Sequence, residues 1–376
     1  MKTIVFTIRE TGHNLEYLHH IYEVCANKPD NDYVFLIPNK AQESMGLFSW
    51  EKASNISFDY IPDDFQNKCI HANIIIAAWY MSLYLRKKVL EHHAQHLFVI
   101  SLITLLPFGG FIIPAQISGI IYSIYLYKWK KSTLLRKSCD VLKFLLLSRT
   151  PSFNNVFILN DKYSARYLNR IYRTNKFKFI PDPYIPINNE NVWDWRERYN
   201  IPKDCFLFAH FGSISKRKGT LDVLKSISML PDSLRSKFYF VIAGRVFPDF
   251  VDEFNSNTKE LDSNVIIIKE FCSFDFIANL CRCCNAILLP YLESEQSSGL
   301  LGYASQFHVP VIGPSSGLIG KLIKRYNLGI LCQEGNPEDL IRCYCCIMEN
   351  KWKNDSNVYI DQRTVFSFQR VISDTI

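Results

Sequence analysis

Several familiar catalytic signatures are missing from this chain. It has no P-loop and nothing resembling Gly-x-Gly-x-x-Gly, which excludes phosphate binding by those glycine-rich loops. No nucleophile–base pair stands out from spacing. The run after Met1, Thr3–Thr7, is strand-like and carries no signal-peptide pattern, so a cytoplasmic location is expected. A dense basic patch of the kind nucleic-acid readers carry is also lacking, and no nucleic-acid partner is expected. Between Leu97 and Tyr127 there is no charged residue at all.

What the chain does have is enough apolar residue, 48% against 21% charged, for a folded protein. Its 376 residues exceed one core, so two domains are the default. The formal net charge of +7 suits anionic substrates or an anionic membrane. Twelve cysteines without a secretory context read as reduced, small core residues. Two clusters, Cys281, Cys283, Cys284 and Cys343, Cys345, Cys346, fall at apparent helix ends, and no metal is expected there.

Short apolar runs alternate with helical periods, which predicts a parallel α/β sheet. In the second half strands are expected at Phe206–Phe211, Phe238–Ala243, Val265–Lys269, Ala286–Leu289, Val309–Ile312 and Gly329–Cys332. The first half repeats the pattern less clearly, with strands at Thr3–Ile8, Tyr33–Ile37, Val156–Leu159 and Phe177–Ile180 and a long helical stretch Ala72–Leu90. Asp161 is placed to cap a helix over Asp161–Tyr172. Pro181, Pro183 and Pro186 punctuate the chain and mark a domain junction. The expected division is 1–185, 186–362 and a C-terminal helix, 363–376, packing back across the junction. The uncharged run is long enough to span a bilayer, but Pro107, Gly109, Gly110 and Pro114 interrupt it. It reads as a span, as a core segment, or as part of a membrane-surface contact over 97–145. The basic residues after it, from Lys128 to Lys143, surround Trp129, a composition that suits an anionic lipid surface.

Chemistry concentrates in two loops of the second half. The loop after Phe206–Phe211 runs Gly212, Ser213, Ile214, Ser215, Lys216, Arg217, Lys218, Gly219 and leads into a helix. The loop after Ala286–Leu289 holds Glu295, Ser297, Ser298 and Gly299, and opens a helix expected at Gly299–Phe307. Free N–H groups and the positive dipole end at Ser298–Leu300 suit a phosphate. Ligands of open α/β sheets bind beyond the carboxyl ends of strands, so these loops form a candidate diphosphate clamp. Solvated loops are the alternative.

The segment from about Val192 to Met348 resembles the nucleotide-binding domain of the retaining GT-B glycosyltransferases called family 4. The matching residues are Gly212, Arg217-Lys218-Gly219, Pro290, Glu295, Gly299 and Pro310-Val311-Ile312. The family pattern of two Glu followed by Pro keeps Glu295 and Pro310, while its second Glu is Tyr303 here. The Arg usual after the first-loop Gly is Ser213. Ser297-Ser298-Gly299 is similar to the Ser-Gly version of the motif found in a subset of the family. In the first half Gly12-His13 matches in outline. Asp30-Asn31-Asp32, which mimics the Asp-x-Asp signature of the other glycosyltransferase architecture, reads as a turn beside Pro29.

The resemblance implies two Rossmann-like domains facing across a cleft and a nucleotide-diphosphate sugar as donor, with no cofactor and no metal. It implies catalytic roles for Lys218, Arg217 and Glu295. Donor contacts follow from Gly212, Ser213, Ser297, Ser298, Gly299, Leu300 and Tyr303, and an acceptor or diphosphate loop from Gly12 and His13. The expected partners are the donor, a saccharide acceptor that is lipid-linked, as in surface polysaccharide or lipopolysaccharide assembly, and an anionic membrane at the inner face of the cell. An epimerase or hydrolase of the same fold and a non-catalytic binding module are the rival readings, the latter favoured by Ser213 and Tyr303.

Overall fold

Alternating strands and helices build two parallel sheets, one in each of two compact units. The computed structural model describes residues 1–10, 13–44, 50, 52–187, 191–259, 261–262, 264–349, 352 and 356–376, without the side chains of residues 13, 43, 44 and 131. The first unit comprises Met1–Asp182 together with Val365–Ile376, and the second Pro183–Thr364.

The first sheet contains β1 (Lys2–Phe6), β2 (Asp32–Pro38), β3 (Ile56–Ile61), β4 (His96–Val99), β5 (Gln116–Ile121), β6 (Phe153–Leu159) and β7 (Phe177–Ile180). Their spatial order is β3-β2-β1-β4-β5-β6-β7. Every pairing is parallel, so each crossover must carry a helix or loop over one face. Alternate strand residues divide between two cores. Ile4, Phe6, Leu97, Val99 and Ile158 face one side, with the helices Ile74–Glu91, Leu134–Arg149 and Lys162–Tyr172. Val5, Phe98, Ile120 and Phe157 face the other, with the helix His13–Ala26 and the C-terminal helix Val365–Ser373. The tail helix is fixed there by Phe368, stacked on Tyr17 at 5.4 Å, and by Gln369, whose amide donates to Glu23 at 2.7 Å. Asp161 caps the helix Lys162–Tyr172, accepting from the Ser164 N–H at 3.0 Å.

The uncharged run is accounted for by this sheet. It forms β4, a short 3-10 turn at Leu102–Leu105, a single helical turn at Gly109–Ile112, and β5. Interior strands of a parallel sheet are covered on both faces and so read as continuous apolar sequence. Leu97, Phe98, Val99, Ile117 and Ile120 are accordingly buried. Among the described residues no helix is long and apolar enough to cross a membrane.

The second sheet contains β8 (Phe206–Phe211), β9 (Phe238–Ala243), β10 (Val265–Ile268), β11 (Ala286–Leu288), β12 (Val311–Pro314) and β13 (Gly329–Cys332). Their order is β10-β9-β8-β11-β12-β13, again all parallel. The chain builds outward from β8 in one direction and then returns to β11 to build in the other. The reversal between β8 and β11 is the topological switch point, where doubly wound sheets open a crevice for ligands. In the first sheet the same reversal lies between β1 and β4.

Candidate functional site

The two loops singled out in the sequence leave β8 and β11, the two strands flanking the second switch point. Their approach is fixed by backbone. The Lys216–Lys218 turn is 3-10, and its Arg217 carbonyl accepts from the Leu292 N–H at 3.0 Å and the Glu293 N–H at 3.4 Å. Gly219 ends that turn with φ of +70°, in the left-handed region that favours glycine, and a Cβ there would stand 2.0 Å from the Pro290 carbonyl oxygen. The loop after β11 is held from its other side as well, since the Ser294 carbonyl accepts from Leu318 and Ile319 N–H at 2.8 and 3.2 Å.

This arrangement gathers charge around Tyr291. The Arg217 guanidinium lies 5.8 Å and the Lys218 ammonium 5.3 Å from the centroid of its ring. The negative face of an aromatic ring attracts both cations. The three basic residues of the loop are not equivalent. Lys216 forms an ion pair with Glu253, whereas among the described residues no carboxylate pairs with Arg217 or Lys218. Lys218 is half-buried and Arg217 exposed. The Lys218 ammonium also borders Gly212, where φ is +102° and a Cβ would lie 3.1 Å from Nζ. Ser213 is exposed.

Tyr291 links the cations to the second loop, its hydroxyl lying 3.3 Å from Ser298 Oγ. The following helix runs Leu300–Gln306, one residue later than the expected start, with Gly299 at its N-cap. The first N–H groups with acceptors belong to Leu301, Gly302 and Tyr303. Among the described residues those of Ser298, Gly299 and Leu300 have none. The first four N–H groups of any α-helix lack an intrahelical partner. Glu295 is buried in the loop, Ser297 half-buried, and Tyr303 buried on the helix, edge-on to Phe274 at 6.2 Å.

Sequence reasoning did not single out Tyr291 or His210. Tyr291 carried one signal, an aromatic residue directly after the strand-ending Pro290. His210, near the end of β8, is fully enclosed. Its Nδ1 lies 2.9 Å from the Leu288 carbonyl oxygen and its Nε2 3.0 Å from Thr220 Oγ1. A carbonyl only accepts, so Nδ1 carries the proton, and Nε2 faces the Thr220 hydroxyl, whose oxygen also lies 3.2 Å from the Ser215 carbonyl. Burial holds the ring neutral, its pKa lowered to about 4. His210 thereby ties β8 to β11 and to the helix Thr220–Ser228 that follows the cationic loop.

In the first unit Gly12 and the side chain of His13 lie outside the described residues. An apolar cavity sits at that unit's switch point, lined by Ile8 and Arg9 after β1, Thr104 after β4, and Ile74, Ala77 and Met81. The cysteine clusters are core and rim residues. Burial raises the thiol pKa of Cys281 and Cys284, and raises that of Cys343 to about 12. Among the described residues, the group of metal-capable side chains that does come together is elsewhere, at His19, His20 and Glu23 of one helix. His20 Nδ1 there lies 3.4 Å from Glu23 Oε2, the geometry of an ordinary His–Glu pair one turn apart.

Residues 191–362 match the family model described as glycosyl transferases group 1. No curated protein matches the chain in sequence. Solved structures match along its whole length. WaaG, a glycosyltransferase involved in lipopolysaccharide biosynthesis, aligns over 100% of this chain and 99% of its own at TM-score 0.70 and 18% identity. Alr3699/HepE of Anabaena, in complex with UDP-glucose, aligns over 100% and 99% at TM-score 0.67 and 13% identity. The lipopolysaccharide outer core galactosyltransferase WaaB aligns over 98% and 97% at TM-score 0.63 and 11% identity. The fold is GT-B, with two Rossmann-like units.

Proposed function

We propose that this chain is a retaining, metal-independent hexosyltransferase that moves a sugar from a nucleotide-diphosphate donor to a saccharide acceptor. One observation carries the reading. Lys218 and Arg217 flank Tyr291 beside the unengaged N–H groups of Ser298–Leu300, at the switch point of the unit that matches the group 1 model. When the bond between sugar and diphosphate breaks, negative charge develops on the departing diphosphate. Preorganised cations and N–H donors stabilise that charge more than they stabilise the bound donor, and so lower the barrier. Glu295 accepts from sugar hydroxyls and orients the donor. Departure and attack on one face of the sugar retain its configuration and require no protein base. The Ser297–Gly299 stretch serves as the Ser-Gly form of the donor motif, and Tyr303 occupies the position from which the family's second Glu holds the ribose.

The acceptor is bound by the first unit, and lipopolysaccharide or surface polysaccharide assembly at the inner membrane face is the process that supplies it. The Anabaena structure holds UDP-glucose, which makes UDP-sugars the first donors to try. The test is a thermal-shift screen against UDP-, GDP-, ADP- and CMP-sugars. At a hundred times Kd a ligand adds about 2.7 kcal/mol of stability, so one base class should raise Tm and the others should not. Product analysis with labelled donor then separates transfer from hydrolysis or epimerisation. A chain that responds to none of the four classes is not a nucleotide-sugar enzyme.

A further inference from the structure

The helices covering one face of the first sheet are apolar on the side turned away from it. We propose that this face docks on an anionic lipid bilayer. The helices Ile74–Glu91, Leu134–Arg149 and Lys162–Tyr172 all pack on one core cluster, through Met81 and Leu85, Phe144 and Leu147, and Ala165 and Leu168. Their outer faces therefore look out from the same side of the sheet.

In a soluble protein's surface helix those outer positions are polar. Here Leu134 and Leu135 are 82% and 76% exposed, and Leu142 and Leu145 continue the same stripe opposite buried Phe144 and Leu147. The helix Lys162–Tyr172 exposes Tyr163, Tyr167 and Ile171, spaced one turn apart. The helix Ile74–Glu91 exposes Ile76, Trp79, Leu83 and Leu90 along one side, with Ile74 at its start 74% exposed. Exposed apolar positions scattered singly need no explanation, but stripes along three helices on one side of a sheet do.

Charge selects the occupant. Arg86, Lys87 and Lys88 stand against Glu91 on the first helix, and Arg136, Lys137, Lys143 and Arg149 against Asp140 on the second. Lys162, Arg166 and Arg170 have no acidic counterpart on the third. The three helices together carry +8, while the whole chain carries +7. Lys88 is paired with Asp59 and Lys143 with Asp140, but Arg86, Arg136, Arg149, Lys162, Arg166 and Arg170 are exposed on the helices that carry the apolar stripes. Arg170 lies 5.3 Å from the ring centroid of Tyr167, and Lys137 5.2 Å from that of Trp129. Apolar insertion with flanking cations and interfacial aromatics is the chemistry of binding to anionic lipid. A polyanion such as nucleic acid leaves the leucine stripe unexplained, and a second copy of the chain repels through the same cations.

The surface gives the lipid-linked acceptor proposed above a membrane to be met on, and rests on that reading only for the acceptor's identity. The experiment is flotation of the full chain with phosphatidylcholine vesicles, with and without phosphatidylglycerol, at low and high salt. Flotation is expected with the anionic vesicles and is expected to weaken in salt. Arg166→Gln with Arg170→Gln should reduce partition about 25-fold, at about fivefold for each cation lost near an anionic surface. Leu134→Glu with Leu135→Glu should reduce it at least about tenfold. Both variants change exposed side chains, so unchanged Tm confirms that they fold. The proposal is overturned if the protein fails to float, floats equally with neutral vesicles, or floats unchanged in either variant. It is also overturned if size-exclusion chromatography shows a dimer that Leu134→Glu dissolves. Flotation without turnover on any nucleotide sugar leaves the surface standing and removes only the transferase reading.

Discussion

Lys216, Arg217 and Lys218 are consecutive, yet their surroundings assign them different work. Lys216 is neutralised by Glu253 on the helix Val251–Thr258, and its side chain is 58% exposed. Such an exposed pair contributes about 0–1 kcal/mol. Lys218 instead lies between Tyr291 and Gly212 with no carboxylate partner among the described residues. Lys218→Ala is therefore expected to lower kcat about 100- to 1000-fold, the cost of one lost charge-stabilising donor. Lys216→Ala should leave kcat within a factor of a few. Steady-state kinetics on the donor identified by the thermal-shift screen decide this. Equal losses in both variants would mean that the loop acts through bulk positive potential, and equal retention would remove Lys218 from the chemistry.

At the scale of elements, the site is two loops closed on each other, and Gly219 is where they meet. A methyl group at 219 would need to occupy space 2.0 Å from the Pro290 carbonyl, at a φ of +70° that a side chain tolerates poorly. Left-handed strain costs about 1–2 kcal/mol, and overpacking about 1–3 more. Gly219→Ala should thus lower stability by at least about 2 kcal/mol in urea denaturation and weaken donor binding, because the Arg217 carbonyl can no longer hold Leu292 and Glu293 in place. Stability and donor affinity equal to those of the parent would show that the loops are independent. Much of this architecture was legible in sequence. Phe206–Phe211, Phe238–Ala243, Phe177–Ile180 and Gly329–Cys332 are strands with the expected bounds, because buried parallel strands are short apolar runs with little else to mimic them. The elements that escaped are those whose sequence carries a mixed signal. β3 is an edge strand in which only Ile61 is fully buried, so it lacks the apolar run. The helix Val251–Thr258 buries Phe254 alone among its eight residues. β4 and β5 merged into one uncharged stretch. Within the site, residue types and loops could be read from sequence. The convergence of Arg217 and Lys218 on Tyr291 could not, because it depends on β8 and β11 being neighbours despite the β9 and β10 that separate them in the chain.

At the scale of the whole molecule, each unit carries its own buried neutral histidine. His96 begins β4 of the first unit, 4% exposed, with Nε2 3.0 Å from Ser118 Oγ. His210 lies next to last in β8 of the second, 1% exposed. Burial lowers the pKa of each to about 4, against about 6.5 in the unfolded chain. Between these values the unfolded state binds the proton and the folded state does not. Stability therefore rises with pH across that interval: it is fully present above about pH 6.5 and is lost as pH falls toward 4. Each ring contributes about 3 kcal/mol when its whole interval is crossed, and about 2 kcal/mol between neutral pH and about pH 5. His20, whose pKa burial also lowers, acts in the same direction. Asp222, raised by burial, opposes it. Urea denaturation at about pH 7.5 and about pH 5, with hydrogen exchange read unit by unit, measures the effect. Both units should weaken on acidification. His210→Asn, whose side-chain amide can still donate to the Leu288 carbonyl, should flatten the dependence in the second unit and leave it intact in the first. A second unit that still loses stability with the parent's slope would place its acid sensitivity elsewhere than at the β8–β11 junction, and the pinning role of His210 beneath the two loops would fall with it.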